Sequence, residues 1–194
     1  MKENLNIHDI IRKNRTYRRF DSSRKLDASF IKEVIANARI AQSAANLQPL
    51  RYIYVIDDDV AGKVYECLGW AGYLKDWKGP EEKERPVAYI IVLADSTNSK
   101  FAQVDSGLAI QNMNISAICK GVGSCIFGSI KRKKLKEILG IDDDYEILYV
   151  VAFGYPVENV SIVEVKDSIK YYRDKSGNHY VPKRSLNEII LKKF

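Results

Sequence analysis

Arg15-Thr16-Tyr17-Arg18-Arg19-Phe20-Asp21 and, further along, Ser43-Ala44-Ala45-Asn46-Leu47-Gln48-Pro49 are the stretches on which the reading of this chain turns. Guanidinium groups beside a small hydroxyl suit a phosphate, because Arg presents a planar fork of donors that matches an oxyanion and never loses its charge. The first stretch can therefore cradle a phosphate. The second is small and amide-rich, so backbone can approach a flat ligand while Asn46 and Gln48 offer donors and acceptors in fixed directions. It can hold a ring edge. Read singly, each also fits something plainer: an exposed basic turn before a helix, and a helix end followed by a loop into Pro49. Their joint presence in this order favours a ligand.

Around these stretches, strands and helices interleave. Residues 7 to 13 predict a short helix. Asp27-Ala28-Ser29-Phe30 opens a second, whose apolar positions Phe30, Ile31, Val34, Ile35, Ala38 and Ala41 follow the helical period and deliver Ser43 to Gln48 to its C-terminal side. Residues 51 to 56 predict a strand closed by Asp57-Asp58-Asp59, which turns the chain into a new helix. Residues 87 to 94 read as a second, buried strand. The span from Lys100 to Lys120 is apolar on most faces, which predicts a central helix enclosed on several sides and contributing to a dimer core. Residues 124 to 130 and 147 to 153 supply two more strands, with Ser129 placed to cap the intervening helix and Gly140 to end it.

Two glycine-marked stretches need separate treatment. Gly121-Val122-Gly123 lacks the third glycine of a dinucleotide loop, since position 126 is Ile, and it follows a helix rather than a strand. It reads as a helix stop. The stretch from Trp70 to Pro80 gathers both tryptophans and Tyr73 between glycines, and reads equally as a lid over a flat aromatic ligand or as a helix packed on the core through Trp70 and Trp77.

A chain of 194 residues suits one domain, 1–194, and at that length about 70% of the unfolded surface can be buried. Ser106 to Cys119 carries no formal charge, but Gln111, Asn112, Asn114 and Ser116 interrupt it, so no membrane span is expected. The first eight residues lack the apolar run of a secretory signal, and a cytoplasmic location follows. Cys67, Cys119 and Cys125 form neither an even framework nor a Cys-x-x-Cys pair; buried thiols are expected. With only His8 and His179, no metal site is expected. The net charge of +6 and the run Lys131-Arg132-Lys133-Lys134 would suit nucleic acid. However, Glu137, Asp142, Asp143 and Asp144 follow closely, so the run reads as a solvated mixed-sign face, and the basic excess suits small phosphorylated ligands equally well.

The chain resembles the FMN-dependent nitroreductase family. The pattern there is Arg-Arg-Ser-x-Arg-x-Phe, then Ser-x-x-Asn-x-Gln-Pro, then a helix that begins near Asp and runs into Gly-x-Gly, and a strand ending in Gly-Tyr-Pro. This sequence answers with residues 15–20 and 43–49 as quoted, with Asp105 to Lys120 followed by Gly121-Val122-Gly123-Ser124-Cys125, and with Phe153-Gly154-Tyr155-Pro156. The tail Val181-Pro182-Lys183-Arg184-Ser185-Leu186 is similar to the family's closing basic motif. Asn14 stands where many relatives carry the first Arg, and Thr16 replaces the commoner Ser while keeping the hydroxyl.

The resemblance implies an α+β, three-layer fold, with a central mostly antiparallel sheet flanked by helices, in an intertwined homodimer whose flavins lie at the subunit interface. It implies bound FMN, NADH or NADPH as donor, and ping-pong hydride transfer through flavin N5 to nitro compounds, quinones or related acceptors. No catalytic side chain is implied. Arg18 matches the basic residue beside flavin N1 and the C2 carbonyl, while Arg15, Thr16 and Arg184 would take the phosphate, with Arg184 reaching across to the partner's FMN. Asn46 and Gln48 would address the ring system and ribityl chain, Ser43, Ala44 and Ala45 beside them would also belong to the cofactor site, and Ser124, Cys125 and Ile126 would offer backbone contacts. Two alternatives stand beside this one: a flavoenzyme of the same fold performing reductive dehalogenation or flavin breakdown, and a basic nucleic-acid-binding module.

Overall fold

The apolar run expected at residues 87–94 becomes the middle of a sheet covered on both faces. The computed structural model describes residues 6–95 and 100–194. Its helices are α1 (Ile7–Lys13), α2 (Ala28–Arg39), α3 (Asp58–Tyr65), α4 (Ala102–Ile118), α5 (Arg132–Leu139) and α6 (Leu186–Ile189). Its strands are β1 (Leu50–Val55), β2 (Ala88–Asp95), β3 (Gly123–Phe127), β4 (Tyr145–Gly154), β5 (Val160–Glu164), β6 (Tyr172–Arg173) and β7 (His179–Lys183). The main sheet runs β1-β2-β4-β3, and every neighbouring pair is antiparallel. Successive side chains of a strand face opposite ways. Tyr89, Ile91 and Leu93 of β2 therefore join Val64 of α3 and Leu135 of α5, while Ile90 and Val92 join Ile31 and Val34 of α2 and Ile110 and Met113 of α4. The result is helices, sheet, helices. A small second sheet, β5-β7-β6, pairs β5 with β7 in parallel and β6 with β7 antiparallel.

Local signals account for most boundaries. The Asp27 side chain accepts from the Phe30 amide at 2.8 Å and starts α2. Gly121 and Gly140 end α4 and α5 with φ of 73° and 61°, the left-handed region that glycine enters without a Cβ penalty.

Three expectations are corrected. Of the three thiols expected to be buried, Cys119 is exposed, while Cys67 and Cys125 are buried. Ser129 does not cap α5: residues 129–131 pair with residues 67–69, the Gly69 amide donating to the Ser129 carbonyl at 2.9 Å and the Lys131 amide to the Cys67 carbonyl at 2.8 Å. That pairing also stops β3 at Phe127. The stretch from Trp70 to Pro80 is not a helix but a chain of turns pinned by Trp70, whose ring lies 4.7 Å from Phe127 and 6.1 Å from Trp77.

One face of α4 is open in the single chain. Phe101, Val104 and Leu108 are 40%, 63% and 40% exposed, and Gln111 and Ile115 continue the row at the spacing of a helix seam. Leu186, Ile189, Ile190, Leu191 and Phe194 are likewise exposed along the C-terminal tail.

Candidate functional site

The segment that follows α1 is laid against the edge of the main sheet. Thr16 forms a parallel bridge with Ser124 of β3, and the Tyr17 amide donates to the Ser124 carbonyl at 2.9 Å. Two glycines, Gly123 and Gly154, oppose each other across β3 and β4 and make the room. A Cβ on Gly123 would stand 2.6 Å from the Tyr17 ring, and one on Gly154 would stand 2.9 Å from Phe20, whose side chain is fully buried. Gly154→Ala is therefore expected to destabilise the fold by about 1–3 kcal/mol, the range for forcing extra volume into a packed core. Denaturant unfolding checks it; an unchanged midpoint would mean that Phe20 steps aside freely.

Beside that segment opens a cleft of about 370 Å³. Arg15, Thr16 and Arg18 form one wall and Gln111 and Asn114 of α4 another. The strands contribute by alternation. Ser124 and Ile126 of β3 line the cleft, whereas Cys125 between them belongs to the core, where burial pushes its thiol up to about 12. Any part Cys125 plays at a ligand is confined to its backbone. From β7, His179, Val181 and Lys183 face the cleft. Arg184, one position on, lies outside it, with its guanidinium 3.7 Å from Glu188. Arg15, Arg18 and Lys183 give the lining three cations, and among the described residues no carboxylate belongs to it.

Arg18 is held at both ends. Its amide and that of Arg19 donate to one oxygen of Glu158, the second at 3.1 Å, and the other oxygen accepts from Arg173 at 2.9 Å. Its guanidinium donates to His179 Nε2 at 3.2 Å and stacks 4.5 Å from the centre of the Tyr171 ring. Burial, and then the charges of Arg18 and Arg173, push the His179 pKa down to about 4. The imidazole is thus neutral at pH 7, with Nε2 as acceptor and the proton on Nδ1. His179 Nδ1, Asn114 Oδ1 and Arg15 Nε are buried without a protein partner. Unpaired buried polar atoms cost about 1–3 kcal/mol each, and three of the residues lining the cleft carry one, while its cations suit a phosphorylated ligand.

The second stretch is organised by a different part of α4. Asp105, buried near its start, accepts from the Ser43 hydroxyl at 2.6 Å and the Ala44 amide at 3.2 Å, and the Ser43 oxygen accepts in turn from the Gln48 amide at 2.9 Å. Winding the chain this tightly gives Ala45, Asn46 and Gln48 φ values of 49°, 55° and 49°. Non-glycine residues in that region are strained by roughly 1 kcal/mol or more each, and such strain gathers at ligand sites. Ser43 and Gln48 line a separate cavity of about 180 Å³, together with Arg51 and Tyr52. A single chain does not bring this stretch to the Arg18 cleft: Asp105 and Asn114 are nine residues apart, about 13 Å along a helix axis.

The nitroreductase family model matches residues 11–155. The chain belongs to the nitroreductase family. It is 30% identical over 154 residues to a protein of Archaeoglobus fulgidus assigned as NADH dehydrogenase/NAD(P)H nitroreductase, covering 75% of this chain and 83% of that one. Against an iodotyrosine deiodinase of Thermotoga neapolitana the identity is 22% over 172 residues, 77% of this chain and 88% of the other. Among solved structures, one assigned as a nitroreductase of Desulfovibrio desulfuricans, in complex with FMN, shares the fold at a TM-score of 0.71 and 20% identity, covering 98% of both chains.

Several cleft residues of this nitroreductase had no part in the sequence reading. Gln111 and Asn114 were visible only as interruptions of an apolar helix, and their polarity served to reject a membrane span when it also marked a site. In the sequence His179 stands out only as a candidate metal ligand and Arg184 draws the eye before Lys183, although the period of two along β7 selects residues 179, 181 and 183. Glu158 carried no local signal. The basic run at residues 131–134 is engaged locally, with Lys134 3.1 Å from Glu66 and Arg132 donating to the Ile147 carbonyl at 2.8 Å. Among the described residues no cluster of three metal-ligating side chains occurs, and no helix is long and apolar enough to cross a membrane.

Proposed function

We propose that this nitroreductase is a cytoplasmic, homodimeric FMN oxidoreductase, one domain over residues 1–194, that takes electrons from NADH or NADPH and reduces nitro compounds, quinones or related acceptors. The observation that carries it is the cleft at β3, lined among the described residues by three cations and no carboxylate. FMN, when bound, would supply the two-electron chemistry. Arg15, Thr16 and Lys183 would hold its phosphate, Arg18 would offer a permanent positive charge to the ring system, and the backbone of residues 124–126 would border it. Positive charge there favours the reduced cofactor, which carries more negative charge. Arg184 is free to serve the partner's ligand once it leaves Glu188.

The remaining part of the site comes from a second copy. The open row on α4 is centred on Leu108, with Asp105 three residues to one side and Gln111 three to the other. A two-fold axis there, with the two α4 helices antiparallel, sets Asp105 of each copy opposite Gln111 of the other. Ser43, Ala44, Ala45, Asn46 and Gln48, anchored at Asp105, then close over the partner's cleft. The exposed apolar tail wraps the same neighbour. This is the intertwined arrangement that the unfinished cleft and the strained stretch both call for.

The test is the visible spectrum of the purified, FMN-reconstituted protein. It should be yellow, bleach with NADH or NADPH under anaerobic conditions, and regain colour on adding a nitroarene or quinone. A colourless preparation that carries nucleic acid and takes up no FMN would overturn the reading. The deiodinase relative supports one variant on the same cofactor, reductive dehalogenation; reoxidation by a halophenol but not by a nitroarene would select it.

A further inference from the structure

We propose that Glu158 is the positioning residue that aims Arg18 into the cleft. This rests on the FMN reading above and adds a residue that makes no contact with the cleft itself. Glu158 follows the Gly-Tyr-Pro turn at the end of β4, and its side chain is only 1% exposed. One of its carboxylate oxygens accepts from the consecutive amides of Arg18 and Arg19, which fixes the backbone at the root of the Arg18 side chain. The other accepts from Arg173, whose guanidinium lies against the Trp77 ring at 4.4 Å.

The charges explain why this arrangement leaves Arg18 available. Glu158 is balanced by Arg173, and Arg19 is consumed by Glu84, its Nε donating at 2.8 Å. Neutral His179 and the Tyr171 ring orient the Arg18 guanidinium without cancelling its charge. Of the two neighbouring arginines, one is spent on structure and the other is presented to ligand. The carboxylate that buries itself against their shared backbone makes that division.

Glu158→Gln separates this role from plain electrostatics by its sign. Removing a buried negative charge makes the cleft more positive, which by charge alone would tighten FMN and raise its reduction potential. A misaimed Arg18 does the reverse. The expected result is an FMN dissociation constant raised about tenfold, equivalent to one well-placed hydrogen bond, and a potential below that of the wild type. Because Glu158 acts through Arg18, the same substitution in an Arg18→Ala background should change the dissociation constant by less than about twofold. Tighter binding or a raised potential in Glu158→Gln, or effects of the two substitutions that simply multiply, would overturn the proposal.

Should Glu158→Gln fail to fold, as judged by circular dichroism, Glu158→Asp keeps the charge and shortens the reach. It is expected to weaken FMN in an Arg18-dependent manner, and unchanged affinity would count against the role. FMN titrated into apo-protein reads both levels: a wild type that takes up no FMN fails the cofactor reading and carries this proposal down with it. A wild type with Arg18-dependent binding that is untouched by either Glu158 variant sinks the positioning role alone.

Discussion

Arg18→Ala is expected to weaken FMN binding by about ten- to a hundredfold, the loss of one charge-assisted hydrogen bond worth about 1.5–3 kcal/mol. It should also lower the flavin reduction potential, since on the proposed reading the reduced cofactor loses a fixed cation. The folded chain itself should barely notice, because the protein partners of this guanidinium are the His179 ring and the face of Tyr171. What should vanish is the rise in melting temperature that added FMN gives the wild type, which by mass action follows the ratio of ligand to dissociation constant. Arg18→Lys is expected to fall between, keeping the charge but losing the planar fork and the stacking. Equilibrium titration and a thermal melt with and without FMN decide it: full cofactor content and an undiminished FMN-dependent shift in Arg18→Ala would remove Arg18 from the site.

Leu108→Asp should act on assembly. The side chain lies in the open row of α4, outside both large core clusters, so the isolated chain should fold normally. In a two-fold pair the substitution occurs twice at facing positions, and each new carboxylate must leave water beside its twin. With a penalty of several kcal/mol per buried ion, the dimer dissociation constant should rise by about a thousandfold or more. Light scattering should then show a monomer, and the flavin should be lost with the partner, whose cleft the stretch from Ser43 to Gln48 would close in the proposed pair. A Leu108→Asp protein that stays dimeric would refute the α4 pairing. A monomer that keeps its FMN would refute the shared site.

Much of the fold was legible because its causes are local. Asp27 caps the helix it was expected to open, Gly140 ends the next-to-last one, and the apolar run of β2 stands where both faces of a sheet are covered. The failures are equally physical. Ser129 has the chemistry of a cap, but residues 67–69 claim its backbone from far away in sequence, and the tryptophans at 70 and 77 find each other through turns that no helical spacing describes. The site divides in the same way. Arg15, Thr16 and Arg18 announce themselves by residue type, whereas the partners that set Arg18 lie 140 and 161 positions away and leave no trace in its neighbourhood. Cys125 and Arg184 attracted attention by adjacency, which a strand undoes at every second residue.

Asp105 anchors Ser43 and Ala44 at the head of a stretch in which three of the four residues from Ala45 to Gln48 hold left-handed backbone states, and it does so from inside the helix whose outer side would meet the neighbouring molecule in the proposed pair. In that pair the single rod would act as axle and latch together: tilting it to release the other subunit would also slacken the loop proposed to cover the other subunit's coenzyme. Dilution should consequently bleed colour from the protein in step with its separation into halves, with no stage at which a pale pair or a yellow single chain accumulates.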